Sequence, residues 1–102
     1  MAFLLITWIR IKRMQQTQIK IINKLGLHAR AAAKFVTLAS EYQSEVLLEH
    51  QAKKVNGKSI MGVMMLAASK GTELTLITNG NDEHKALDAL VELVNNRFDE
   101  AS

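Results

Sequence analysis

His28 and Arg30 are the two residues of this sequence whose types and spacing point to a reaction. His28 follows a Gly-containing stretch, Lys24-Leu25-Gly26-Leu27, and heads an alanine-rich segment with helical periodicity. A helix start offers backbone N–H groups without partners and a partial positive charge, which together suit an anion. Neutral histidine is a poor N-cap, whereas a histidine carrying phosphate is a good acceptor for those N–H groups. Arg30, two residues on, can grip phosphate oxygens through paired hydrogen bonds. An imidazole is largely neutral and nucleophilic near pH 7. A phosphoryl group on a ring nitrogen keeps a high transfer potential, and catalysing its transfer is mostly positioning plus charge stabilisation. Spacing alone leaves the plainer reading open, that His28 is an ordinary surface residue at a helix start.

The elements that must position this pair can be read from the hydrophobic pattern. Thr17 to Asn23 predicts a strand with Ile19 and Ile21 on one side, and Gly26 the tight point of the loop that follows. His28 to about Ser40 predicts a helix whose inner face carries Ala29, Ala32, Phe35 with Val36, and Ala39; small residues at its start allow close approach to a sheet. Ser44–His50 and Ala52–Asn56 predict paired strands, closed by the Asn56-Gly57 turn. Ser59 is a natural N-cap for an apolar helix over Ile60–Ala68, with Lys70-Gly71 ending it. Glu73–Thr78 predicts a strand, and Asp82 to Arg97 a last helix with the stripe Leu87, Leu90, Val91, Val94, Phe98. Asp82 and Glu83 suit that helix's positive end and Arg97 its negative end. The order βαββαβα, with three apolar helical stripes and one sheet, predicts an α+β two-layer domain: a four-stranded antiparallel sheet with all helices on one face.

Charge and composition exclude several function classes. The chain has 102 residues, enough for one domain, and neither cysteine nor proline. Disulfide, thiolate and cysteine–metal chemistry are thereby excluded. The net charge of +3 belongs to Arg10, Lys12 and Arg13; residues 14–102 carry ten basic and ten acidic side chains. A nucleic-acid-binding domain loses its main support from that balance. The apolar run Ala2–Ile9 is too short to span a bilayer, and its charges follow it rather than precede it as in a secretory signal. Residues 1–13 are therefore expected to be a start assigned too early or a poorly ordered tail, with no membrane insertion, and residues 14–102 the working domain. His50 and His84 stand 22 and 34 residues beyond the preceding histidine. Those spacings match no local metal motif, so no metal and no cofactor is expected.

Two blocks carry a family resemblance. Lys24-Leu-Gly-Leu-His28-Ala-Arg30 followed by Ala-Ala-Ala-Lys-Phe-Val36 resembles the active-site signature of the HPr family, the histidine phosphocarriers of the bacterial phosphoenolpyruvate-dependent phosphotransferase system. Val55-Asn-Gly-Lys-Ser59-Ile-Met-Gly-Val-Met-Met-Leu-Ala68 resembles that family's regulatory-serine segment. The resemblance spans about residues 15–100. It implies an open-faced β-sandwich and phosphorylation of His28 on Nδ1 with Arg30 as its partner. It also implies enzyme I as donor and an EIIA protein or domain as acceptor, and a cytoplasmic monomer that carries phosphate rather than a stand-alone enzyme. Ala31 departs from the pattern, which usually has proline directly after the arginine; that puts in doubt how tightly the His28 loop is held.

Ser59 has two compatible roles, a helix cap and, as the resemblance implies, a target of HPr kinase/phosphorylase. Phosphate at a helix start steadies the helix yet adds negative charge to a docking surface. Met61 and Met64, rimmed by Lys34, Lys58 or Lys53, are the candidate docking residues, since methionine adapts to more than one partner surface. The family has a sugar-uptake branch and a nitrogen-regulatory branch, NPr. The Asn23-Lys-Leu-Gly-Leu-His start and the Asn95-Asn-Arg-Phe-Asp-Glu100 ending look NPr-like, and the Ser59 block looks like the sugar type. The rival from another class is a non-phosphorylated regulatory interaction module.

Overall fold

Alternation of apolar and polar residues builds a sheet with one covered face. The structure, a computed structural model, describes residues 14–102, and the expectation for residues 1–13 lies outside the described residues. The elements are β1 (Gln15–Lys20), α1 (Ala29–Ala39), β2 (Glu45–His50), β3 (Lys53–Asn56), α2 (Ile60–Met64), β4 (Glu73–Asn79) and α3 (Glu83–Asn95), followed by a 3-10 turn at Arg97–Asp99. The strands lie in the order β1-β4-β2-β3, every neighbouring pair antiparallel. Leu74, Leu76 and Thr78 of β4 are buried, opposite Ile19 of β1 and Leu48 and Val46 of β2. Each fully buried leucine or valine of that layer contributes about 1.5–3 kcal/mol. Helices cover the same face: Ala31, Ala32, Phe35 and Ala39 from α1, Val63 from α2, and Ala86, Leu90 and Val94 from α3. The result is the expected α+β open-faced sandwich.

Several boundaries differ from the sequence reading. β1 stops at Lys20 rather than Asn23, although Ile21 still donates to Thr72 C=O (2.9 Å). Asn23 is buried and turns inward to the following loop. On α1 it is Ala31, not Ala29, that is buried; Ala29, the first helical residue, is exposed. α2 ends at Met64 instead of continuing to Ala68, and the chain leaves it through Ala67 in the left-handed region, φ 51°. This exit turns Ala68 C=O toward Leu27, whose N–H it accepts at 2.9 Å.

The largest departure is at the end of α3. Phe98 does not extend the helical stripe. Arg97, Phe98 and Asp99 all have positive φ, 57°, 53° and 63°. A left-handed non-glycine residue costs roughly 1–2 kcal/mol. Burial of the whole Phe98 ring offsets that cost, and Lys34 Nζ donates to Phe98 C=O (2.9 Å). The hook reverses the chain and brings Glu100 back toward the start of α1. At the other end of α3, Asp82 occupies the N-cap position without a side-chain cap bond. Its carboxylate accepts instead from Ser44 Oγ (2.5 Å), Gln43 N–H (2.9 Å) and Ser44 N–H (3.0 Å), pinning the α1–β2 loop. Those bonds, the Ser44 hydroxyl first, hold the Asp82 carboxyl below its usual pKa. Glu83 is buried and accepts from Gly80 N–H at 3.0 Å.

Because the Phe98 ring holds the hook, Phe98→Ala is expected to lower stability by about 3–5 kcal/mol, read as the midpoint shift in denaturant unfolding.

Candidate functional site

The loop before α1 is fixed from three sides. Gly26 has φ +70°, and a Cβ there would stand 2.5 Å from Ala68 O, so only glycine fits. Asn23 Nδ2 donates to Gly26 C=O (2.8 Å), and Gly26 N–H donates to Asn23 C=O (3.2 Å). Leu27 is buried and clamped by its bond to Ala68. The last residue reaches this loop as well, since Lys24 N–H donates to Ser102 C=O (3.1 Å).

His28 follows directly, in the N-cap position with extended backbone (φ −75°, ψ 179°) and no side-chain cap bond. The first helical bond runs from Ala32 N–H to His28 C=O (2.8 Å). The amides of Ala29, Arg30 and Ala31 therefore precede any intrahelical acceptor, as at every helix start. The His28 side chain is 28 % exposed, so its ring is reachable yet held. Its Nε2 lies 2.5 Å from Glu100 Oε2. The other carboxylate oxygen, Oε1, accepts from Asn23 Nδ2 (2.9 Å). Burial opposes ionisation of Glu100. The hydrogen bonds from Asn23 and His28, and the charges of His28 and Arg30, outweigh it, so the Glu100 carboxyl titrates below its ordinary 4.5. Asn23 uses both amide hydrogens, and its Oδ1 is buried without a partner, a cost of about 1–3 kcal/mol.

Arg30 is exposed on the first turn and shares a groove of about 470 Å³ with Lys24, Leu25, Lys34, Asp99 and Glu100. A guanidinium exposed at a helix start can grip an anion through paired hydrogen bonds. Ala31 is fully buried, so the helix start that proline would stiffen is held here by packing and by the loop bonds.

The other sequence candidates sit elsewhere in the bond network. Ser59 caps α2, its Oγ accepting from Gly62 N–H (3.0 Å). Met61 and Met64 are exposed, as are Leu25, Ile60 and Met65. The rim lysines are each tied to a carbonyl: Lys34 to Phe98 (2.9 Å), Lys58 to Tyr42 (2.6 Å) and Lys53 to Met65 (3.0 Å). His50 bonds Glu73 C=O through Nδ1 (3.2 Å), and His84 is exposed. Sequence reasoning missed Asn23 and Glu100. Asn23-x-x-Gly26 carries an Asn/Gly turn signal that could have been read. Nothing local marks Glu100, which is 72 residues from His28.

With this geometry the comparisons with known proteins are decisive. Residues 15–96 match the family model described as the PTS HPr component phosphorylation site. The chain belongs to the HPr family of phosphotransferase-system phosphocarriers. It is 61 % identical over 88 residues to the phosphocarrier protein HPr of Pseudomonas aeruginosa, covering 85 % of this chain and 98 % of that one. It is 46 % identical over 87 residues to the phosphocarrier protein NPr of Shewanella violacea, covering 85 % and 96 %. Among solved HPr structures, one from Thermoanaerobacter tengcongensis superposes with a TM-score of 0.83 at 46 % identity, covering 86 % of this chain and 99 % of that one. A second from the same organism, described as an HPr dimer, gives 0.69 at 50 % identity, covering 80 % and 94 %. Among the described residues of this HPr-family chain, no helix is long and apolar enough to cross a membrane.

Two outcomes follow. Gly26→Ala is expected to destabilise the protein by roughly 1–3 kcal/mol in denaturant unfolding, because the left-handed backbone and Ala68 both oppose a Cβ. The depressed Glu100 pKa gives stability that is complete above 4.5 and lost as pH falls through the lower folded-state value. Carbon NMR of the Glu100 carboxyl should accordingly show a titration midpoint below 4.5 in the folded protein.

Proposed function

We propose that this chain accepts a phosphoryl group from enzyme I on Nδ1 of His28 and hands it to an EIIA protein or domain in sugar uptake, acting as a cytoplasmic monomer. The observation that carries the proposal is His28 at the N-cap of α1 with no cap bond of its own, ahead of three amides and the exposed Arg30. In the first step the Nδ1 lone pair forms a bond to phosphorus. The bond from phosphorus to the donor's nitrogen breaks, and its electron pair returns to the donor. The phosphate oxygens then lie against the helix-start amides and the Arg30 guanidinium, which balance their charge. In the second step the acceptor displaces His28 in the same way. Only positioning and charge balance are asked of the carrier, which a small rigid domain can supply.

The sugar-uptake branch draws support from the 61 % identity to an HPr. The nitrogen-regulatory branch is the second reading, supported by the NPr relative and by the Asn95–Glu100 ending. Ser59 is proposed as a regulatory site for HPr kinase/phosphorylase. A phosphate on its Oγ would sit at the start of α2, beside the exposed Met61 and Met64, and repel an acidic partner. Met61 and Met64 supply adaptable docking contacts in the same proposal, with Lys34 and Lys58 at the rim.

Incubation with enzyme I and labelled phosphoenolpyruvate tests the reading. Acid-labile label is expected on the wild-type chain and none on His28→Ala, while Arg30→Ala slows uptake by roughly a hundred-fold. Absence of label on the wild-type chain would favour the non-phosphorylated interaction module.

A further inference from the structure

The His28–Glu100 contact is made by a segment that local sequence preferences do not explain. Three consecutive non-glycine residues, Arg97 to Asp99, adopt left-handed backbone, and the hook they form is secured on both sides. Phe98 is fully buried, and Lys34 holds Phe98 C=O and lies 3.9 Å from the Asp99 carboxylate. Glu100 N–H closes the hook onto Arg97 C=O (2.9 Å), and Ser102 C=O is fastened to Lys24. Strained backbone that the surroundings over-determine points to a position the fold needs. Here that position is Glu100, whose side chain is 12 % exposed.

The hydrogen-bond roles at this contact follow from counting donors. Asn23 gives one amide hydrogen to Gly26 C=O and the other to Glu100 Oε1. Reversing that amide would set its oxygen against Gly26 C=O, so Glu100 Oε1 accepts, and the Glu100 carboxyl, which titrates below 4.5, is ionised at neutral pH. An ionised carboxylate can only accept. The hydrogen between Glu100 and His28 therefore belongs to Nε2, and in the neutral ring the lone pair is left on Nδ1. When Nδ1 takes a phosphoryl group, the Nε2 proton stays, and the ring takes up a unit of positive charge 2.5 Å from the Glu100 carboxylate.

We infer that Glu100 is a positioning residue for phosphoryl transfer: it fixes the Nε2–H tautomer of His28 and balances the charge of the phosphorylated ring. The inference rests on the carrier reading above and deepens it. Arg30 and the helix-start amides balance the phosphate on Nδ1, and Glu100 balances the ring cation through Nε2. The loss of phosphate to an acceptor releases a neutral imidazole with its Nε2 proton in place, so each cycle returns the ring ready for the next without a proton exchanged.

Glu100→Gln keeps the shape and removes the charge; its one carbonyl oxygen can still accept from His28, while its NH2 replaces the oxygen that faces Asn23. Uptake of label from enzyme I and phosphoenolpyruvate is expected to fall about ten-fold in this variant, with the transfer equilibrium shifted toward the donor to a similar extent. Glu100→Ala removes the acceptor as well. Nitrogen-15 NMR of its neutral His28 ring should show the Nδ1–H tautomer of free imidazole reappearing and the hydrogen-bonded Nε2 proton lost. A merely structural tail anchor predicts wild-type uptake in Glu100→Gln and an unchanged ring spectrum in Glu100→Ala, and either result overturns the inference. The ring spectrum is read without any transfer. If the wild-type chain takes no label, the carrier reading fails, while the spectrum still decides whether Glu100 sets the tautomer.

Discussion

A helix that begins at a histidine has amides to spare at its tip, and it can serve an incoming anion only if the tip is held from outside. An ordinary cap would occupy those donors. In this protein the bond from Leu27 N–H to Ala68 C=O does the holding from the far side of the loop, leaving the helix end open. Position 26 is glycine because its backbone is left-handed and any Cβ would strike that same carbonyl. The early exit of α2 through Ala67 makes the carbonyl available. The segments around Leu27 and Ala68 are therefore one construction, and the Ser59 cap of α2 sits at its base.

The second support is made of charge. Glu100, Asn23 and the His28 ring form a short chain of hydrogen bonds with Arg30 nearby. Buried polar chains of this kind are rigid when satisfied and costly when not. Asn23 illustrates the compromise, since both its hydrogens are used while its oxygen has no partner. The surface around the site shows the complementary economy. Lys34, Lys53 and Lys58 rest their ammonium groups on backbone carbonyls, so these cations are fixed in direction, while Met61 and Met64 stay exposed.

The order of elements, the side of the sheet that is covered and the place of His28 and Arg30 at a helix start were all legible in the sequence. Each rests on local rules: period two for the strands, a 3.6-residue stripe for α1 and α3, a serine cap for α2. Legibility failed where distant segments decide. Ala68 was read as helix because its neighbours are apolar, but its carbonyl is claimed by Leu27. Phe98 fits the α3 stripe by spacing, yet its ring is buried from a backbone that has already left the helix. Asn23 was read as strand because Ile19 and Ile21 precede it, although its side chain is what closes the turn. Glu100 has no local signature, because its partners are 72 and 77 residues away.

The hook at Arg97–Asp99 also bears on how the molecule assembles. Residues 23 and 28 precede the inner strand β4 and the last helix in the chain, whereas Glu100 follows them, so their contacts join segments from both ends of the described domain. During synthesis the histidine emerges early and waits for most of the chain before its carboxylate arrives. Topologies dominated by such remote pairings form slowly. The His28 ring therefore gains its Glu100 contact only once the C-terminal segment is in place, and a chain without that segment docked presents an imidazole lacking this partner.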